Sequence, residues 1–150
     1  TMNYWIENFW DTVKKVISKV DIISINDEES EMITGHQDLK KAAEVLHKMG
    51  PRYVIIKKGK DGAELFNYEK RYVARAYEVD KVIDPTGAGD CFIGGITGYL
   101  SQSSEVSFES IKSAIDYGTS LASFNVENMA TKNLLNLSMS DIENRINKLK

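Results

Sequence analysis

Apolar residues recur at helical spacing through Ile6, Phe9, Trp10, Val13, Val16 and Ile17, while Lys14, Lys15 and Lys19 fall on the other side. The pattern predicts an amphipathic helix after a short lead-in over residues 1–4. Asp21-Ile22-Ile23-Ser24-Ile25 reads as a short buried strand. Asn26-Asp27-Glu28-Glu29 opens a second helix whose first turn is acidic, as the positive end of a helix dipole favours, and Gly35 ends it. Asp38 can cap a third, with Leu39, Ala42, Ala43, Leu46 and Met49 on one face, and Gly50-Pro51 stops it.

Further along, the β-rich run 53–56 precedes a Gly-bounded loop over 57–62. Segments 63–66 and 71–74 read as two strands of a hairpin joined through Asn67-Tyr68-Glu69-Lys70. Residues 79–83 lead into a Gly-rich loop. From Ala88 the pattern turns helical through Phe92, Ile93, Ile96, Tyr99 and Leu100. After a polar break over 102–107, Phe108, Ile111, Ala114, Ile115, Leu121 and Ala122 predict a long helix, and a last one starts near Ser140. Strands alternating with helices predict an α/β domain with a mainly parallel sheet.

Composition narrows this little. At 150 residues, 42% hydrophobic and 27% charged, the chain fits a single folded domain over 1–150. A net charge of −3 argues against a nucleic-acid surface as the main feature. Cys91 is the only cysteine, so no intrachain disulfide forms, which fits a cytoplasmic setting. No apolar run reaches the ~18 residues of a membrane span, and Glu7 and Asp11 spoil any signal-peptide pattern.

The candidate chemistry lies in Asp84-Pro85-Thr86-Gly87-Ala88-Gly89-Asp90. Gly87 and Gly89 permit backbone conformations that a side chain obstructs, and let amides approach an anion. A helix starting at Ala88 or Gly89 would aim several free N–H groups the same way, a cradle suited to a phosphoryl group. Asp90 beside such a cradle repels phosphate, so its use there is as a proton acceptor. A purely structural Gly-rich turn with an early-helix Asp explains the same residues. Neither the P-loop nor the dinucleotide fingerprint is matched, Phe92 standing where the latter needs a small residue.

The same segment, continued through Cys91-Phe92 and Gly94-Gly95, resembles the C-terminal signature of the ribokinase-like (PfkB) carbohydrate kinases. Asn26-Asp27-Glu28-Glu29, ending Ile33-Thr34-Gly35, resembles that family's N-x-x-E segment. Val54-Ile55-Ile56-Lys57-Lys58-Gly59-Lys60-Asp61-Gly62-Ala63 resembles its strand and loop before the adenine site. Thr1-Met2-Asn3-Tyr4-Trp5-Ile6 and Ala122-Ser123-Phe124-Asn125-Val126-Glu127 resemble members described only as sugar kinases.

The resemblance implies a three-layer α/β/α ribokinase-like domain and transfer of the ATP γ-phosphoryl group to an alcohol of a sugar or nucleoside. It implies Asp90 as general base and the amides of Gly87, Ala88 and Gly89 as anion hole. Asn26 and Glu29 would organise Mg²⁺ and phosphate, Glu29 through water. Lys57, Gly59, Lys60, Gly62 and Thr86 would line the nucleotide. Asp84 and Thr86 match the start of a monovalent-cation (K⁺) site, although Ala130 stands where that site is usually followed by Gly. The bland alternatives are a solvated acidic helix start for Glu28, Glu29 and Glu31, and ordinary surface for the lysines.

Three other features are expected to be structural. A helix N-terminus would lower the Cys91 thiol pKa, but a small buried packing residue is the simpler reading. His36 and His47 lack a zinc spacing. Trp5, Phe9 and Trp10 are expected in the core. The family's N-terminal half, with its sugar-contacting residues, first strands and lid, has no counterpart here. The chain, which begins with Thr, is therefore expected to be a C-terminal portion whose exposed sheet edge meets a second copy or an N-terminal half. The rival readings are a nucleotide-binding or regulatory module without catalysis, and a structural fragment without ligand.

Overall fold

In the computed structural model, residues 2–129 and 131–149 are described. They form two compact units that divide between Val73 and Ala74. Thr1 and Ala130, which carry two of the points of resemblance, lie outside the described residues.

The first unit contains α1 (Met2–Asn8), α2 (Trp10–Ile17), β1 (Ile22–Asn26), α3 (Asp27–Thr34), α4 (Leu39–Met49), β2 (Tyr53–Lys57) and β3 (Ala63–Phe66). It also holds most of β4 (Arg71–Ala74), and the sheet order is β1-β2-β3-β4. β1 and β2 are parallel, with Asn26 opposite Lys57, so α3 and α4 form the crossover such a pair requires. β2 and β3 are antiparallel, with Lys57 opposite Ala63. The sheet is therefore mixed where a mainly parallel one was expected. The short connection over 58–62 can return the chain only as an antiparallel neighbour. Ile23 and Ile25 of β1, Val54 and Ile56 of β2, Phe66, and Ala42, Ala43 and Leu46 of α4 build the core.

Local signals set the helix ends. The Asn26 side chain accepts the Glu29 N–H at 2.7 Å, and Glu29 Oε2 accepts the Asn26 N–H at 2.9 Å, a complete capping box. Asp38 accepts the Lys41 N–H at 2.9 Å and caps α4. The hairpin turn is held by Asn67, whose Oδ1 accepts the N–H groups of Glu69 and Lys70.

The N-terminal segment departs from expectation. Phe9 leaves the helical region and splits the expected single helix into α1 and α2. Ile6, Val13 and Ile17 point into the core and Trp10 packs against it. Trp5 and Phe9 instead face outward, 49% and 43% exposed, with ring centroids 5.0 Å apart. The core thus takes Ile6, Val13, Ile17 and Trp10, while Val16 of the predicted apolar face is exposed and Trp5 and Phe9 pack on each other.

The second unit contains α5 (Ala88–Leu100), α6 (Phe108–Val126), a 3-10 turn at Lys132–Leu134, and α7 (Met139–Asn147). Phe92 and Ile96 of α5, Phe108, Ile111, Ala114 and Ile115 of α6, and Ile142 and Ile146 of α7 are buried. Ser107 and Ser138 open α6 and α7 with capping boxes to Ser110 and Asp141. Arg145 of α7 lies over the Phe124 and Tyr77 rings and bonds Ser123 Oγ and Glu127 Oε2, both at 3.0 Å.

Candidate active site

The Gly-rich loop is built by short-range bonds. The Thr86 N–H donates to Asp84 Oδ1 at 2.9 Å, closing an Asx turn that reverses the chain. Gly87 then has φ 81° and ψ −2°, the left-handed region in which a Cβ is penalised. α5 begins at the next residue, and the Cys91 N–H donates to the Gly87 carbonyl at 2.9 Å. Gly87 has no side chain with which to cap. The N–H groups of Gly87, Gly89 and Asp90 accordingly have no acceptor among the described residues. Ala88 differs, because its N–H donates to the Pro85 carbonyl at 3.2 Å. The free donors at this helix start thus include Asp90's own N–H, which sequence reasoning did not single out.

The Asp90 side chain is exposed in the first turn of α5. An exposed carboxylate beside free amides can accept a proton from a hydroxyl brought to the same place. Burial raises the neighbouring Cys91 thiol above its ordinary pKa, and the Asp90 charge adds to the effect. The thiol thus shifts in the direction opposite to the one a helix N-terminus alone would give, in keeping with a packing residue.

Asp84 and Thr86 were matched to a monovalent-cation site. Asp84 Oδ1 already accepts the Thr86 N–H, and the Thr86 carbonyl accepts Asn125 Nδ2 at 2.8 Å. Each of these oxygens thus already accepts one internal hydrogen bond, and Ala130 lies outside the described residues.

In the first unit, the register of the parallel pair brings Asn26 and Lys57 side by side at the carboxyl ends of β1 and β2. Ligands of open α/β sheets bind at such strand ends. Glu29 follows one turn into α3, and Gly59, Lys60 and Gly62 form the 3-10 turn and its exit after β2. Glu29 is buried and Lys57 half-buried, whereas Lys60 is exposed. Lys58 is held elsewhere, its Nζ 3.0 Å from Glu64 Oε1. Asn26 and Glu29 complete each other's caps, and the box leaves Glu29 Oε1 for a water. That fits Mg²⁺, which retains several waters and needs few protein oxygens. Among the described residues no group of three or more His, Cys, Asp or Glu could hold a metal by itself.

The expected residues therefore fall into two groups, one in each unit. Asn26, Glu29, Lys57, Gly59, Lys60 and Gly62 gather in the first; Asp84, Thr86, Gly87, Ala88, Gly89 and Asp90 gather in the second. Sequence reasoning assigned no role to Asn125, which is 1% exposed near the end of α6. A signal existed: Asn125 continues the buried helical stripe of Ile111, Ala114, Ile115 and Gly118, where a polar amide is out of pattern.

Comparison with known proteins bears on both groups. Residues 1–137 match the family model "pfkB family carbohydrate kinase". The chain is 37% identical over 91 residues to a cytidine kinase of Thermococcus kodakarensis, covering 59% of this chain and 33% of that protein. It is 31% identical over 118 residues to a ribokinase of Staphylococcus aureus, covering 75% and 37%. The crystal structure of aminoimidazole riboside kinase from Salmonella enterica, complexed with aminoimidazole riboside and an ATP analog, superposes with a TM-score of 0.80 at 25% identity. That match covers 91% of this chain and 45% of the other. The chain thus spans less than half the length of these relatives. No helix among the described residues is long and apolar enough to cross a membrane. The fold is ribokinase-like, and the chain belongs to the pfkB family of carbohydrate kinases.

Proposed function

We propose that residues 1–150 are the C-terminal nucleotide-binding and catalytic portion of a kinase that phosphorylates an alcohol of a sugar or nucleoside. The observation that carries this reading is the start of α5, where free N–H groups of Gly87 and Gly89 flank an exposed Asp90 carboxylate.

Asp90 accepts the proton of the substrate hydroxyl as it attacks. The Gly87 and Gly89 N–H groups donate to the phosphoryl oxygens as their charge develops, and one such preorganised donor contributes ~10²–10³ in rate. Ala88 joins them only by releasing Pro85, so the Asp90 N–H is the more available third donor. In the first unit Lys57, Gly59, Lys60 and Gly62 would line the nucleotide and Asn26 with Glu29 would hold the metal, Glu29 through water; in the second, Thr86 would line the nucleotide. When bound, ATP supplies the phosphoryl group and Mg²⁺ screens its phosphate charge.

Calorimetry with Mg-ATP and a phosphoryl-transfer assay on the full-length protein, using a panel of sugars and nucleosides, test this. Asp90→Asn should lower kcat by ~10²–10⁴ and leave ATP affinity within about twofold. Near-normal turnover in that variant would remove Asp90 from the chemistry. Nucleotide binding without transfer to any alcohol would favour a non-catalytic nucleotide-binding module.

A further inference from the structure

Asn125 is a polar side chain in a place that an aliphatic one would fill at lower cost. Its amide is buried, and its Nδ2 donates to the Thr86 carbonyl at 2.8 Å, across 39 residues of chain. Its Oδ1 is buried without a hydrogen-bond partner. A structural Asn is normally satisfied at both ends, so stability alone does not account for this one. The next residue takes part as well: the Val126 carbonyl accepts the Ile83 N–H at 2.7 Å and the Asp84 N–H at 3.3 Å. The last turn of α6 therefore grips the Gly-rich loop at its entry and again at Thr86.

The second grip has a direct consequence. The Thr86 carbonyl and the Gly87 N–H belong to one peptide plane, and in a trans peptide they point in opposite directions. No cis peptide occurs among the described residues. Drawing the Thr86 oxygen onto buried Asn125 turns the Gly87 N–H away from the protein interior. The amide also lies against Gly87 itself: a Cβ there would stand 3.8 Å from both Asn125 Nδ2 and Oδ1. Gly87 is the residue most able to let this plane rotate, because its backbone tolerates both signs of φ. A hydrogen bond to the carbonyl further polarises the N–H of the same peptide.

We propose that Asn125 is a positioning residue that fixes the Thr86–Gly87 peptide and so presents the Gly87 N–H to the transferring phosphoryl group. This rests on the kinase reading above. Asn125 touches no reacting atom. It acts by removing the alternative orientation of one donor.

The test compares Asn125→Leu, which keeps the volume and loses the donor, with the unsubstituted protein. In the full-length protein the variant should keep its thermal midpoint and its KM for ATP, and lose ~10–10²-fold in kcat, up to the value of one anion-hole donor. Turnover within twofold in the folded variant overturns the proposal, as does a loss confined to stability. Should the variant not fold, amide NMR of the unsubstituted full-length protein decides. Adding Mg-ADP with aluminium fluoride, a phosphoryl mimic, should shift the Gly87, Gly89 and Asp90 amide resonances together. A response from Gly89 and Asp90 without Gly87 overturns the role of Asn125 and leaves the kinase reading standing. Silence from all three, with no nucleotide binding and no turnover, overturns both.

Discussion

Gly95 of α5 and Gly118 of α6 meet backbone to backbone: a Cβ on Gly95 would stand 2.7 Å from the Gly118 Cα, and one on Gly118 would stand 2.5 Å from the Phe92 carbonyl. Neither residue needs an unusual φ. Both are glycine because two helix axes come too close for a side chain. α5 carries the candidate anion hole at its first turn, and α6 carries Asn125 near its last. The Gly95–Gly118 contact therefore sets the spacing on which the loop depends.

Gly118→Ala should push the two helices apart. Overpacking of this kind costs about 1–3 kcal/mol, because the obstacle is backbone and cannot change rotamer. Chemical denaturation of the variant should show that loss. Nucleotide-dependent shifts of the Gly87 amide should weaken in parallel. Unchanged stability would mean that the helices separate freely.

In the first unit, buried Glu64 is gripped from two sides, by Arg71 Nε at 2.7 Å and Lys58 Nζ at 3.0 Å. Burial works to raise its carboxyl pKa, but the hydrogen bonds from Arg71 and Lys58 outweigh it and hold the group below its ordinary 4.5. The folded state thus binds this proton less readily than the unfolded chain. Its stabilisation is fully present above about pH 5 and fades as pH falls through the depressed folded value. Glu64→Gln should cost about 1–2 kcal/mol at pH 7, a figure discounted because the Arg71 side chain is 54% exposed. Measured by urea denaturation, the gap between the two proteins should narrow in acid. A gap that stays constant down to pH 3 would contradict the double pairing.

The Cys91 thiol gives an independent readout of Asp90. Burial raises it first and the Asp90 charge second, so iodoacetamide should modify Cys91 more slowly than a free cysteine at pH 7.5. Asp90→Asn removes the like charge and should speed the reaction in a folded protein. A thiol that reacts faster than free cysteine would contradict the effect of burial.

Much of this was legible in the sequence because it is local. Asn26 with Glu29, Asp38 with Lys41, and Asn67 with Lys70 are each settled within three residues. A capping side chain meets its amide wherever the rest of the chain goes. The Asp84-to-Asp90 loop is local in the same sense. Its Asx turn, left-handed glycine and helix start are consecutive, so sequence alone indicated free amides at the helix start and a carboxylate beside them. The family resemblance carried by these segments agrees with the match over residues 1–137.

Tertiary structure decided what depends on residues far apart. Only the packing of α6 beneath the loop brings Asn125 to Thr86 and Val126 to Ile83. Only the approach of α5 and α6 gives Gly95 and Gly118 their reason. Helical periodicity placed Phe9 on an apolar face and Trp5 was expected in the core beside it, but the helix breaks at Phe9 and both are exposed. Hydrophobic pattern records which positions prefer to leave water. It does not record which distant backbone atom a buried amide will find there, and at Asn125 that partner is what orients the loop.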